Sequence, residues 1–340
     1  MKKHLQPLLA VMLGLAAGLC ITAIAGENPL HVLKVLVTSA FGSRYDLGMT
    51  LFYSTPLIFT GLSVAMAFHA GLFNIGAEGQ LLLGALAGAA TGILLPGVPW
   101  PIAPFIAACA CIMAGAAWGA IPGWLRARRG SHEVIVTIML NFVAAGLTSW
   151  VTLYLLPNPE SQNPETRHVG PGYLVSQFGF FDGAPVSAAF IIAIIAAGLV
   201  WLFLWRTTAG FEIRATGQNE HAARAAGVNV GRTRIFAMML AGGLAGMVGI
   251  GEVLGNAGKF KMGFSPEYGF TGIAVALLAR NKPGGIILAA LLFGALHKGT
   301  AALDFETEHV TRELSMVLQA LVLLSVCADG LWTWLKKGRS

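Results

Sequence analysis

Runs of about 20 apolar residues recur along nearly the whole chain, separated by short polar stretches. Each run is long enough to cross a hydrocarbon layer about 30 Å thick. The pattern predicts about 10 transmembrane helices, near 8–25, 47–69, 78–95, 101–123, 133–156, 186–205, 235–255, 266–280, 284–303 and 314–335. No stretch between them is large enough for a soluble domain, so residues 1–340 read as one all-α integral membrane domain. The first run follows the basic start Met1-Lys2-Lys3-His4. Its apolar stretch is longer than a usual signal-peptide core, which favours an uncleaved helix.

The polar interruptions carry the information. The largest charged one, within about 206–234, reads GFEIRATGQNEHAARAAGVNVGRTR. Gly217 is suited to ending one helical turn, Glu220 to Ala226 to forming a short helix, and Gly227 to ending it. A Pro-, Gly- and Asn-rich stretch at about 157–185 reads as an ordered or semi-ordered lid on the opposite side. Residues 28–44 group Leu30, Val32, Leu33, Leu36 and Val37, as expected of a short surface helix or of a cap on the bundle. Small residues at three- and four-residue spacing, as in Gly242-Gly243-Leu-Ala-Gly246, predict close helix packing. FTGLSVAMAF (59–68) and FTGIAVALLA (270–279) look alike, but apolar segments of few residue types match by chance and carry little weight as a repeat.

Composition agrees with the pattern. Of 340 residues 56% are hydrophobic and 11% charged, with mean hydropathy +0.70; soluble domains carry about 25% charged residues. The net charge of +6 is a topology signal and does not point to nucleic acid. With the N-terminus inside, most of the basic residues fall on inner segments, among them Arg126, Arg128, Arg129, Arg206, Arg232 and Arg234. That bias places both termini in the cytoplasm. Cys20, Cys109, Cys111 and Cys327 all sit in apolar runs and read as packing residues.

Candidate chemistry centres on GLFNIGAEGQ (71–80), where Asn74, Glu78 and Gln80 stand beside three glycines between two apolar runs. The chain must break or turn there, and freed backbone groups are tolerated in a membrane only within protein or against a water-filled cavity. Two readings stand. Either Asn74 and Gln80 cap helix ends with Glu78 at the interface, or these groups face a substrate path. Asn141, Glu252 and Asn256 are further polar groups within or beside spans, able to line a path or to bond a neighbouring helix. Phe73, Phe264 and Tyr268 are candidates to stack on a planar ligand or to anchor at the interface. Glu267, after Ser265-Pro266, suits a helix N-terminus, and Ser131 suits the cap of the helix after it. His69, Glu78, His132 and Glu133 show neither nucleophile nor metal-ligand spacing, so no catalytic or metal site is expected. No GxxxxGK[ST] motif occurs, so any ATP hydrolysis falls to another subunit.

GLFNIGAEGQ, SHEVIVTIMLN, the 210–234 insert and GFTGIAVALLARNKPGG together resemble the permease subunits of bacterial ABC importers of the branched-chain amino acid and simple-sugar type. Within them the chain looks most like the longer permease of nucleoside (basic-membrane-protein) systems. The resemblance covers nearly the whole chain and implies a multi-pass protein of the bacterial inner membrane. It implies a second, related permease as heterodimer partner, two copies of an ATPase that holds ATP and Mg, and an extracytoplasmic binding protein or lipoprotein; no cofactor is expected in this chain. Glu212, Arg214, Gly217, Asn219, Ala223 and Gly227 fall where the family's ATPase-coupling loop has its pattern. Nucleosides or related ribosides are the expected substrates, held by Asn74, Glu78, Gln80 and Asn141 with Phe73 or Tyr268 stacking the base. Simple sugars are the alternative within the class. A self-sufficient secondary carrier would need more intramembrane charge than this chain has, and a membrane enzyme is weaker still.

Overall fold

The structure, a computed structural model, describes residues 2–310 and, beyond them, 314, 316, 317, 320, 321, 324 and 325, with side chains from residue 11 onward. It is built of helices: α1 (Lys2–Ile24), α2 (Pro29–Phe41), α3 (Arg44–His69), α4 (Ala77–Leu94), α5 (Ile102–Arg129), α6 (Glu133–Trp150), α7 (Ala189–Arg206), α8 (Thr208–Gln218), α9 (Glu220–Ala225), α10 (Val230–Gly246), α11 (Tyr268–Leu278) and α12 (Pro283–Glu306). α6 and α10 run on into π-helical turns, Val151–Leu155 and Ile250–Ala257. Seven of these segments are long and apolar enough to cross a membrane: α3 to α7, α10 with its π-helical extension, and α12.

They match seven of the runs expected from the sequence. The run 266–280 differs: α11 has 11 residues, which at 1.5 Å each gives about 16 Å, half a hydrocarbon core. Glu267, with φ +61, stands outside the helix in the left-handed region, so the chain enters α11 from a bend rather than as a continuous span. In α1 the apolar stretch among the described side chains covers Val11–Ile24. Most of the expected span 314–335, with Cys327, lies outside the described residues. Cys20, Cys109 and Cys111 are free thiols.

α3 is the axis of the bundle. Its apolar window is 78% buried, as is that of α10 with its extension, against 17% for the Glu133–Leu155 span, so α3 is largely enclosed while α6 is peripheral. Ile58, Phe59, Leu62, Val64 and Ala65 are fully buried, in a core shared with α4, α7, α10, α11 and α12. α6 instead turns Ile135, Met139, Phe142 and Val143 outward. The apolar group expected on α2 divides: Val32 and Leu36 are buried with Val35 against Leu303 and Val310, whereas Leu30 and Val37 are exposed.

The stretch expected as a lid is folded against the bundle. Short 3-10 turns at Pro171–Tyr173 and Gly179–Phe181 interrupt it, and the fully buried Tyr173 donates its hydroxyl to the Leu95 carbonyl at 2.9 Å. Residues 164–169 pair with the bend after α10. Thr166 N–H donates to the Phe260 carbonyl, Val169 N–H to Gly258, and Met262 N–H to Pro164.

α5 and α10 meet backbone to backbone. A Cβ on Gly115 would strike the Gly242 carbonyl, one on Gly119 the Met238 carbonyl, and one on Gly246 the Cys111 carbonyl. Three missing side chains thus set the helix separation. Gly242→Val is expected to force the helices apart, at about 1–3 kcal/mol or more, and to lower the thermal unfolding midpoint of the purified protein. An unchanged midpoint contradicts this account of the seam.

Candidate functional site

The break between α3 and α4 turns back into the bundle. Asn74 is fully buried and bonds Ser63, which lies about 9 Å, or roughly six residues, in from the end of α3. Asn74 Nδ2 donates to Gln80 Oε1 at 2.8 Å, and Gln80 Nε2 donates back to Asn74 Oδ1 at 3.1 Å. Asn74 Oδ1 also accepts from Gly76 N–H. From α6, Asn141 Nδ2 donates to the Ile75 carbonyl and its Oδ1 accepts from Gly79 N–H at 2.9 Å. Backbone groups released by the broken helix are thereby paired inside the protein, as a low-dielectric interior demands.

Glu78, in the first turn of α4, reaches the start of α11. One of its carboxylate oxygens accepts from Gly269 N–H at 2.7 Å, and the Ser265 side chain lies beside the same carboxylate. A negative group at a helix N-terminus meets unpaired N–H donors and the positive end of the dipole. Gly269 lies so close that a Cβ there would press on the Glu78 backbone. Glu267 makes no cap bond, contrary to the role its position suggests; Ser265 Oγ accepts from Tyr268 N–H instead. Ser131 likewise does not cap α6, where His132 holds the cap position without a side-chain bond. Glu133 pairs with Arg126 at 3.4 Å.

Beside the start of α11 lies a cavity of about 340 Å³. Phe52 and Tyr53 of α3, Glu252 and Asn256 of the π-helical turn, and Phe264 and Tyr268 form much of its wall, with His297 of α12. The His297 ring packs edge-on to Tyr53 at 4.5 Å. The Tyr268 and Asn256 side chains lie beside the Glu252 carboxylate, whose Oε1 is buried and has no partner. Lys259 on the same wall is paired with Glu165 at 2.7 Å. That ammonium holds the Glu165 carboxyl below the usual carboxylate range.

At the other end of α3 sits the polar segment. Asn219 caps α9, its side-chain oxygen accepting from His221 and Ala222 N–H. Gly227, at φ +88, ends it, with Val228 N–H closing on the Ala223 carbonyl. Glu220 bonds Arg234, which lowers its carboxyl pKa and ties α9 to α10. Gly217 lies against the break: a Cβ on it would strike the His69 carbonyl and the Gly71 nitrogen. Arg214 donates from Nε to the Leu204 carbonyl at 2.9 Å, with its guanidinium over Trp205, so it secures α8 to the end of α7. Ala223 is buried, whereas Glu212, Asn219 and Gly227 are exposed.

The residues expected along a substrate path therefore separate. Tyr268 lines the cavity. Asn74, Gln80 and Asn141 spend their hydrogen bonds on the break, Glu78 on the start of α11, and Phe73 packs edge-on to Phe68 at 5.0 Å. Glu252, Asn256 and Phe264 join Tyr268. Tyr53 and His297 escaped the sequence reading, although a polar ring inside an apolar run is itself a signal of a buried site. Asn74→Ala should strand the Gln80 amide and Gly76 N–H, at about 1–3 kcal/mol for each buried group left unpaired. Thermal unfolding of the detergent-purified protein measures this, and a midpoint equal to wild type refutes the bracing role.

The guanosine ABC transporter permease protein NupP of Bacillus subtilis is 37% identical over 96% of this chain and 93% of its own. The glucose ABC transporter permease protein TsgB13 of Haloferax volcanii is 36% identical over 94% and 85%. The nucleoside ABC transporter permease protein NupB of Lactococcus lactis is 34% identical over 96% and 91%. A second guanosine permease of Bacillus subtilis, NupQ, matches at 27% over 72% of this chain and 78% of its own. Residues 47–327 match the family described as the permease component of the branched-chain amino acid transport system. With that match over most of its length and with these relatives, the chain belongs to this permease family.

Proposed function

We propose that this chain is the membrane subunit of an ATP-driven importer and forms the translocation path for nucleosides or related ribosides. Three of these relatives carry guanosine or nucleoside in their names, and the aromatic wall of the cavity suits a flat heterocycle. The observation that carries the reading is the contact of Gly217 with the backbone of residues 69–71. Through it the polar α8–α9 segment bears directly on the broken helix at the base of the axial α3. An ATPase seated on α8 and α9 would move the bundle there, by rigid-body displacement of short helices. Exposed Glu212, Asn219 and Gly227 would lie at that contact, with Arg214, Gly217 and buried Ala223 keeping the segment's shape.

In this reading about 10 spans cross the bacterial inner membrane with both termini in the cytoplasm, where the basic residues concentrate. A second, related permease completes the pore; the match to both NupP and NupQ of one bacterium supports a pair of unlike permeases. Two ATPase copies hold ATP and Mg, and an extracytoplasmic binding protein or lipoprotein delivers the substrate to the side carrying residues 157–185. Tyr268 belongs to the path, while Asn74, Glu78, Gln80 and Asn141 shape it from behind. A simple-sugar importer is the second reading, favoured by the glucose permease relative.

Uptake of labelled guanosine, uridine and ribose by cells with and without the gene tests the substrate. Gene-dependent nucleoside uptake is expected; uptake of ribose alone transfers the assignment to sugars. Gly217→Val should keep basal ATPase activity in the reconstituted complex and abolish its stimulation by loaded binding protein. Normal stimulation in that variant removes the Gly217 contact from the coupling route.

A further inference from the structure

One wall of the cavity is a strip of irregular chain between the π-helical turn and α11. Along it Lys259, Lys261 and Gly263 line the cavity, whereas Phe260 and Met262 join the core that holds Val169 and Tyr173 of the 157–185 loop. The two lysines are not equivalent. Lys261 is exposed, and water screens its charge. The Lys259 side chain is 17% exposed and meets the Glu165 carboxylate, 6% exposed, at 2.7 Å. An antiparallel bridge sets Glu165 opposite Lys261. Lys259 lies two residues along on the same face, a diagonal within reach of a long side chain. The wall thus supplies the cation and the outer loop the anion. A buried ion pair adds little net stability, because desolvation offsets the attraction, but removing one partner strands the other. Here the stranded group would be an ammonium on a flexible four-carbon stem at the wall of a cavity.

We propose that Glu165 is a specificity-determining residue that acts through Lys259: it cancels a buried positive charge at the cavity and so keeps the path for uncharged cargo, a nucleoside rather than its phosphate. This inference rests on the nucleoside reading above and adds the property that is selected, charge. Glu165 needs no contact with the cargo. At about 10 Å and an effective dielectric of about 20, a unit charge changes a binding constant roughly tenfold. Without Glu165 the Lys259 ammonium would favour an anionic cargo by that amount and leave a neutral one nearly unaffected.

The full complex of permeases and ATPase, in lipid nanodiscs without binding protein, is the material for the test. Displacement of tritiated uridine is measured with uridine and uridine monophosphate, and displacement of tritiated glucose with glucose and glucose phosphate. Wild type should favour uridine over its monophosphate. In Glu165→Gln the ratio of the two affinities should move roughly tenfold toward the monophosphate. In the double variant Glu165→Gln/Lys259→Gln both charges are gone, and the ratio should return to that of wild type. A merely structural Glu165 would weaken both cargoes alike, with no rescue by the second substitution. An unmoved ratio in Glu165→Gln, or a moved ratio that the double variant keeps, overturns the proposal. Should Glu165→Gln fail to assemble, Lys259→Gln decides alone: it strands the anion instead and should move the ratio roughly tenfold the other way. Binding of neither cargo takes the cavity out of the path and the proposal with it. If glucose binds and uridine does not, the nucleoside reading fails, and the glucose pair tests Glu165 by the same ratio.

Discussion

A peptide group without a partner inside a hydrocarbon layer costs several kcal/mol, because no water is there to replace the lost bond. The chain leaves the helical path at 70–76 and again after α10, and neighbouring segments close those gaps. The first is braced by Asn74, Gln80 and, from α6, Asn141. The second is closed by the polar stretch 164–169, whose backbone pairs with residues 258–262. The long loop between α6 and α7 is therefore a structural partner of the membrane core as well as a cover for it.

The two repaired breaks bring the starts of α4 and α11 together. Glu78 spans the gap, serving as the acidic partner that the N–H groups of α11 lack within their own helix. Short helices with defined ends can move as units, whereas a continuous span can only tilt as a whole. α3 joins the cavity to the polar segment: Phe52 and Tyr53 border the cavity, and its other end, about 25 Å away at 1.5 Å per residue, meets Gly217. A displacement of α8 thus has a contiguous packed route to the cavity wall, through Gly71, the Asn74–Gln80 pair and Glu78.

The parts legible in the sequence are those with a local cause. Apolar runs announced seven long spans, and glycines crowded beside Asn74, Glu78 and Gln80 announced the break. Asn219 and Gly227 announced the ends of α9 because capping is written into residue type. Residues 266–280 looked like a full span because hydropathy reports composition and not where a helix begins; the bend at Glu267 depends on contacts made from Glu78, far off in the chain. The site itself is assembled from α3, the turn after α10, α11 and α12. Tyr53 and His297 acquire meaning only when those elements meet, and nothing in the neighbouring sequence of either residue encodes that meeting. For the same reason the sequence left Asn74 and Asn141 open between bracing a helix and lining a path: a side chain that braces a broken helix and one that holds a substrate are the same residue type in the same setting.

Transport also limits how much a site of this kind can bind. A path must hold its cargo firmly enough to admit it and loosely enough to let it go, which disfavours a ring of many fixed partners. A cavity bordered by Phe52, Tyr53, Phe264 and Tyr268 meets that condition, since contact with aromatic side chains is tolerant of sliding. Its geometry is not independent of the breaks. Tyr268, which lies beside Glu252, is the first residue of α11, and Gly269 next to it donates to Glu78. Moving the start of α4 relative to α11 would shift Tyr268 and with it the cavity wall to which it belongs. The constraint that closes the broken backbone is in this way also the one through which a motion begun at Gly217 can change what the cavity holds.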